Sequence, residues 1–181
     1  MTVIPLKKLC LLLTLLLCVL LSACSREAPL AEKKWAYRDS PSETVLKVTG
    51  RGIEFEDTVY ELAKDGEFDR LVPKKSNEPA LRAHIDEDSM VLFRRFTYER
   101  YGEDSSDGFR GAWQCTDGGN YFIFGEDGRF LEDGIFAGTY TLSEDAFVLT
   151  YDGPFESTSC FYTLEGDLLT VEYPWVLVPT R

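Results

Sequence analysis

The chain predicts an all-β protein, an antiparallel meander that forms a small barrel or sandwich built from two degenerate repeats. Three observations carry this expectation. Apolar and aromatic residues alternate with polar ones at a period of two through most of the chain after residue 44. These runs are interrupted by Asp-Gly, Glu-Asp and Gly-Asp pairs at hairpin spacing. One pattern also occurs twice: Tyr60-x-Leu62-x-x-Asp65-Gly66-x-Phe68 returns as Phe122-x-Phe124-x-x-Asp127-Gly128-x-Phe130, and the segment Ile85 to Leu92 is echoed by Leu142 to Leu149.

At the N-terminus, Lys7 and Lys8 precede an apolar run from Leu9 to Leu21. Its length, about 13 residues, suits a secretory signal and falls short of the roughly 18 needed to span a bilayer. The run ends in Leu21-Ser22-Ala23-Cys24, which resembles the lipobox of bacterial lipoproteins. That resemblance implies that residues 1–23 are a signal peptide, that Cys24 carries diacylglycerol on its thiol, and that the mature chain begins at Cys24. Two or three acyl chains, at about 0.8 kcal/mol per buried CH₂, anchor stably where one is marginal. The implied place is the extracytoplasmic side of the cell membrane or outer membrane. Roughly 158 residues then remain, enough for one ordinary domain or two very small ones.

Residues 24–43 read as a tether, because Arg26, Pro29, Lys33, Lys34, Arg38 and Pro41 follow no apolar period. Lys33, Lys34 and Arg38 around Trp35 and Tyr37 suit either a headgroup layer or a solvated linker. Residues 44–102 form the first expected meander. If Lys64-Asp65-Gly66 is a three-residue loop with a left-handed glycine, Leu62 faces Phe68; a tight loop at Glu87-Asp88 pairs Ile85 with Met90. Asp57 to Lys64 also fits a short helix, but the repeat favours a strand. Residues 103–110 read as a linker. Glu103-Asp104-Ser105-Ser106-Asp107-Gly108 has oxygen ligands near a glycine but lacks the EF-hand spacing, so no metal is expected there.

Residues 111–181 form the second meander, in which Phe124 faces Phe130, Leu142 faces Phe147 and Leu164 faces Leu169. Alternation predicts a core face through Tyr140, Leu142, Phe147, Leu149, Tyr151, Cys160, Tyr162, Leu164, Leu169, Val171 and Tyr173. Gly111-Ala112-Trp113 at its start resembles the Gly-x-Trp first-strand motif of lipocalins, which implies a lipocalin-like barrel with the tryptophan at its narrow end. A barrel this small is expected to be filled largely by its own side chains. Of five cysteines, Cys10 and Cys18 fall in the signal and Cys24 at the anchor, which leaves Cys115 and Cys160. In an exported domain these suggest one disulfide, contributing about 4 kcal/mol in the chain-entropy model. Two buried thiols are the alternative, since free cysteine packs as a small apolar residue.

For catalysis the chain offers little. His84 is the only histidine, and it alternates like an ordinary strand residue. No Gly-x-Ser-x-Gly and no phosphate-cradling glycine loop is present. Paired carboxylates such as Glu54 and Glu56, Asp86 to Asp88 and Glu103-Asp104 are too abundant to single out any one. A net charge of −12, about −14 without Lys7 and Lys8, argues against nucleic acid and suits either a solvated surface or a cationic partner. The chain therefore reads as a non-enzymatic, monomeric, lipid-anchored binding protein of the bacterial envelope without a cofactor, taking a small apolar ligand or a cationic protein. An acidic inhibitor or scavenger of a cationic enzyme or peptide, such as a lysozyme, is the first alternative. A carboxylate-dependent hydrolase is the second.

Overall fold

The computed structural model describes residues 33–180 apart from 76, 87 and 103–107, so residues 1–23, Cys24 and most of the expected linker lie outside the described residues. Fourteen antiparallel strands follow in chain order: β1 (Lys34–Tyr37), β2 (Thr44–Thr49), β3 (Gly52–Phe55), β4 (Thr58–Asp65), β5 (Phe68–Pro73), β6 (Leu81–Ile85), β7 (Met90–Tyr101), β8 (Gly111–Cys115), β9 (Tyr121–Phe124), β10 (Arg129–Glu132), β11 (Phe136–Leu142), β12 (Ala146–Tyr151), β13 (Thr158–Glu165) and β14 (Leu168–Pro179). Each strand pairs with the next, and β14 closes the ring on β1.

A further pairing of β14 with β7 divides this ring into two circuits of eight strands, β1–β7 with β14 and β7–β14. The two long strands serve both circuits. β7 pairs along Met90–Tyr98 and beyond with β14, while its other edge meets β6 at Met90–Phe93 and β8 at Tyr98–Tyr101. On β14, the outer edge meets β13 up to Glu172 and β1 from Leu177. Pro174 stands between those stretches, where a strand can lack an N–H donor at least cost.

Alternation then builds two cores on one continuous inner face. Met90 and Leu92 at the start of β7, with Leu177 at the end of β14, pack among Trp35, Leu46, Ile53, Phe55, Tyr60, Leu71 and Ala83. Leu169 and Val171 at the start of β14, with Tyr98 at the end of β7, pack among Trp113, Cys115, Phe122, Phe124, Phe130, Phe147, Leu149 and Cys160. Eight-stranded barrels are just wide enough for side chains to fill, and both interiors are filled. On the outer face a clasp joins the barrels. The Phe68, Phe93 and Phe161 rings meet with centroids 5.3–5.9 Å apart. The Arg82 guanidinium lies 4.1 Å over Phe161 and pairs with Glu172 Oε2 at 2.9 Å, while Arg95 donates to the other Glu172 oxygen at 2.8 Å.

The expected all-β fold is what the structure has, including a strand at 58–65. Four of the expected cross-strand pairs are present: Ile85 with Met90, Phe124 with Phe130, Leu142 with Phe147 and Leu164 with Leu169. Five expectations need correction. Leu62 faces Leu71 rather than Phe68, because Asp65 pairs directly with Phe68 across a two-residue Gly66-Glu67 loop. Leu142 pairs as expected but is exposed at a strand end rather than buried. Lys34–Tyr37, within the expected tether, form β1, where Trp35 is fully buried and belongs to neither a headgroup layer nor a linker. Within the expected linker, Phe109 is buried in the second core. Finally, the sequence repeat is not the structural one: it aligns β4–β5 with β9–β10, whereas strand order makes β1–β7 correspond to β8–β14. Asp-Gly hairpins resemble one another wherever they occur, which is why the shorter alignment misleads.

Candidate functional site: the open mouth of the second barrel

One end of the second barrel is sealed. Phe109 inserts beneath it, with ring centroids 4.4 Å from Phe124, 5.2 Å from Phe147 and 4.9 Å from Tyr162. Trp113 fixes this plug by donating its Nε1–H to the Phe109 carbonyl at 2.8 Å. Arg100 lies 4.3 Å over the Trp113 ring and donates to Asp167 and to the carbonyls of Gly108 and Arg110 at 2.7–2.8 Å. Trp113 thus stands at the closed end of the second barrel.

The other end opens onto a cleft of about 1120 Å³ between the barrels. Its inner wall is built by strand ends. On β10, Phe130 and Glu132 occupy successive inward positions, and Glu132 pairs with Phe122 on one side and Phe136 on the other. Asp133 at φ 53° and Gly134 at φ 69° turn the chain there, and the Asp133 carboxylate accepts the Tyr121 N–H at 2.8 Å. Tyr151, the last residue of β12, lies opposite Gly138, where a Cβ would collide with the Phe130 ring and the Thr150 carbonyl. The Tyr151 hydroxyl donates to Glu132 Oε2 at 2.8 Å and lies 3.2 Å from the Tyr173 hydroxyl. Phe130, Phe136 and Phe155 surround the Tyr151 ring at 5.2, 6.4 and 5.8 Å.

The opposite wall comes from the first barrel and the bare stretch of β14. Tyr37 packs on Trp175 at 4.7 Å, and the Arg94 guanidinium lies 5.0 Å over Trp175 while pairing with Glu56 at 3.2 Å. Arg38 donates its backbone N–H to Val176 and pairs with Glu156 at 3.1 Å, an ion pair reaching from the end of β1 to the β12–β13 loop. Phe155 in the lining of the cleft is 56% exposed, and Ile135, next to Phe136 in the chain, is 76% exposed.

Electrostatically, Glu132 is the unusual group. Burial raises its carboxyl above the ordinary range, partly offset by the Tyr151 hydrogen bond and reinforced by nearby Asp133. Burial likewise raises the Tyr151, Tyr173 and Tyr98 phenols and the Cys160 thiol, so all four stay protonated near neutrality. The other sequestered carboxylates have cations: Asp69, 4% exposed, pairs with Lys64 at 2.7 Å, and the Glu172 side chain, 14% exposed, is held by two arginines. Glu132 has no ion pair among the described residues.

The residues singled out from sequence lie elsewhere. Cys115 and Cys160 point into the same core beside Tyr98, but as free thiols, the alternative to the suggested disulfide. His84 is an exposed strand residue 3.6 Å from Asp86. Asp88 pairs with Lys33 at 3.8 Å, and Glu103-Asp104 lies outside the described residues. Among the described residues, no three His, Cys, Asp or Glu side chains are grouped to hold a metal ion. Glu132, Tyr151 and Tyr173 make the site; sequence reasoning placed the two tyrosines on the core face only and passed over the glutamate altogether. Its signal was present: in Phe130-Leu131-Glu132 the acid falls on the inward phase of the alternation. No family model, characterised protein or solved structure matches this chain.

Proposed function

We propose that this protein is a lipid-anchored, extracytoplasmic binding protein of the bacterial cell envelope, non-enzymatic, which takes its ligand in the mouth of the second barrel. The observation that carries the binding reading is a barrel filled inside, plugged by Phe109 at one end and open at the other onto an aromatic cleft with convergent polar groups. Such clefts, mostly apolar with a few placed hydrogen-bonding groups, are the usual form of small-molecule sites. The anchor rests on the Leu21-Ser22-Ala23-Cys24 pattern.

Nile red, a neutral apolar dye, tests the mouth: its emission rises on the wild-type protein and fails to rise on Ser157→Trp, which fills the cleft. Equal emission on both excludes the mouth as the site. For the anchor, Cys24→Ala moves the protein from the membrane fraction to soluble or unprocessed pools, measured by fractionation and intact mass; an unchanged distribution refutes lipidation at Cys24.

Capture of a cationic enzyme or peptide is the second reading, favoured by the net charge of −12 together with the exposed apolar side chains Ile135 and Phe155. Salt-sensitive binding of lysozyme would support it. Hydrolysis by two carboxylates has the least support: Asp39, Glu132 and Glu156 line the cleft, and Arg38 lies within 4.0 Å of both Asp39 and Glu156.

A further inference from the structure

We propose that the mouth of the second barrel recognises a small organic ammonium ion, with Glu132 as its counter-ion and the Phe136, Tyr151, Phe155 and Trp175 rings receiving its apolar body. This inference rests on the mouth being the binding site. Four observations carry it.

The first is the contrast among carboxylates. A carboxylate withdrawn from water is costly unless a cation accompanies it. Asp69 and Glu172 have theirs within 2.7–2.9 Å, whereas Glu132 has only the Tyr151 hydroxyl. An arriving ammonium ion supplies the missing charge.

The second is that nearby cations are committed elsewhere. Arg38 pairs with Glu156, Arg94 with Glu56 and Arg129 with Asp152.

The third is that the fold does not need an acid at this position. Strand correspondence places Phe55, at the end of β3, where Glu132 ends β10, and Phe55 is buried in the first core. An apolar side chain therefore completes this barrel geometry, and the glutamate is a departure from it.

The fourth is the surroundings. Aromatic faces attract ammonium groups through the ring quadrupole, and a strongly acidic chain concentrates cations around it.

The test uses three compounds of one shape: 2-phenylethylammonium, 2-phenylethanol and phenylacetate. Affinities come from titration calorimetry at pH 7.5, and the indole N–H signal of Trp175 reports occupancy of the cleft. The ammonium ion is expected to bind at least tenfold more tightly than the alcohol, with phenylacetate weakest. Glu132→Gln is expected to cost the ammonium ion at least tenfold and to leave the alcohol within twofold. Glu132→Phe, which copies Phe55, shows the same loss in a variant designed to fold.

Affinity for the ammonium ion also falls as pH is lowered and Glu132 protonates. The groups facing Glu132 are Asp133, Tyr98, Tyr151, Tyr173 and Cys160, and burial keeps the phenols and the thiol protonated throughout. Asp133→Asn separates the remaining carboxyl and should preserve the fall.

If the alcohol or phenylacetate shifts Trp175 and binds as tightly as the ammonium ion, the charge preference is wrong while the mouth stands as a site. If none of the three shifts Trp175, both readings fail. An ammonium affinity unchanged by Glu132→Gln removes Glu132 from the site.

Discussion

At the end of β3 in the first barrel stands Phe55, 3% exposed; at the corresponding end of β10 in the second stands Glu132. The same succession of seven strands thus reaches the junction twice, once with a ring that completes a core and once with an acid that leaves the core open to a cleft. The first barrel's facing end is capped by Tyr37, Trp175 and Arg94, whereas the second presents Glu132, Tyr151 and Tyr173. The tryptophans of β1 and β8 differ in the same spirit. Trp113 Nε1 is bonded to the Phe109 carbonyl, while Trp35 Nε1, equally buried, has no hydrogen-bond partner among the described residues. The comparison teaches that one succession of β-ladders can end at the same inward position in a core ring or in an acid facing a cleft.

The hardest blow to this comparison is Trp35→Ala. Removing a fully buried tryptophan from a core costs about 3–5 kcal/mol. Because β7 and β14 contribute to both cores, the second barrel should fail with the first. Urea unfolding followed by Trp113 fluorescence and by amide exchange in β4 should give one midpoint in both wild type and variant. Two separated midpoints would mean that the barrels are independent units.

Gly128 has a smaller expected effect. It sits at φ 76° in the Glu126-Asp127-Gly128 loop, closed by the Gly125 N–H donating to the Arg129 carbonyl at 2.8 Å. A side chain with a Cβ at that left-handed angle costs roughly 1–2 kcal/mol, more when β-branched. Gly128→Val should therefore melt below Glu126→Val, and the reverse order in thermal melts would refute the loop assignment.

Smallest is Glu132→Phe, which turns the second mouth into a copy of the first. Since the folded carboxyl is raised by burial, Glu132 contributes most below its unfolded pKa, and that contribution is lost as pH rises through the folded value. The variant should gain on wild type between pH 4 and pH 8 by about 1–3 °C in Tm at the upper end. A constant difference across that range would show that Glu132 is solvated like a surface acid.

Hairpins were the legible part of this fold, because a turn and its flanking alternation are local. Ile85–Met90, Phe124–Phe130, Leu142–Phe147 and Leu164–Leu169 could all be read from the chain. Leu62–Phe68 could not, because a left-handed glycine fits both a two-residue and a three-residue loop; Gly66 has φ 65° in either reading, and only the partner strand decides the register. Trp35 looked like tether because a four-residue strand shows no period, and its partners lie at Leu46 and at Pro179, near the far end of the chain. Glu132 escaped notice in a sequence with 31 acidic residues. Its inward phase was visible, but its isolation from any arginine or lysine depends on where every other charge folds.

The closure of β1 on β14 also has a consequence in time. Trp35, Ala36 and Tyr37 of β1 leave a ribosome well before their partners on one side, Leu177 to Pro179 of β14. Until those final residues arrive, the first barrel lacks a stave and its apolar lining stays open to whatever is nearby. Closure of the first barrel therefore waits on completion of β14, so a chain cut before Leu177 would lose a partner of the half made first.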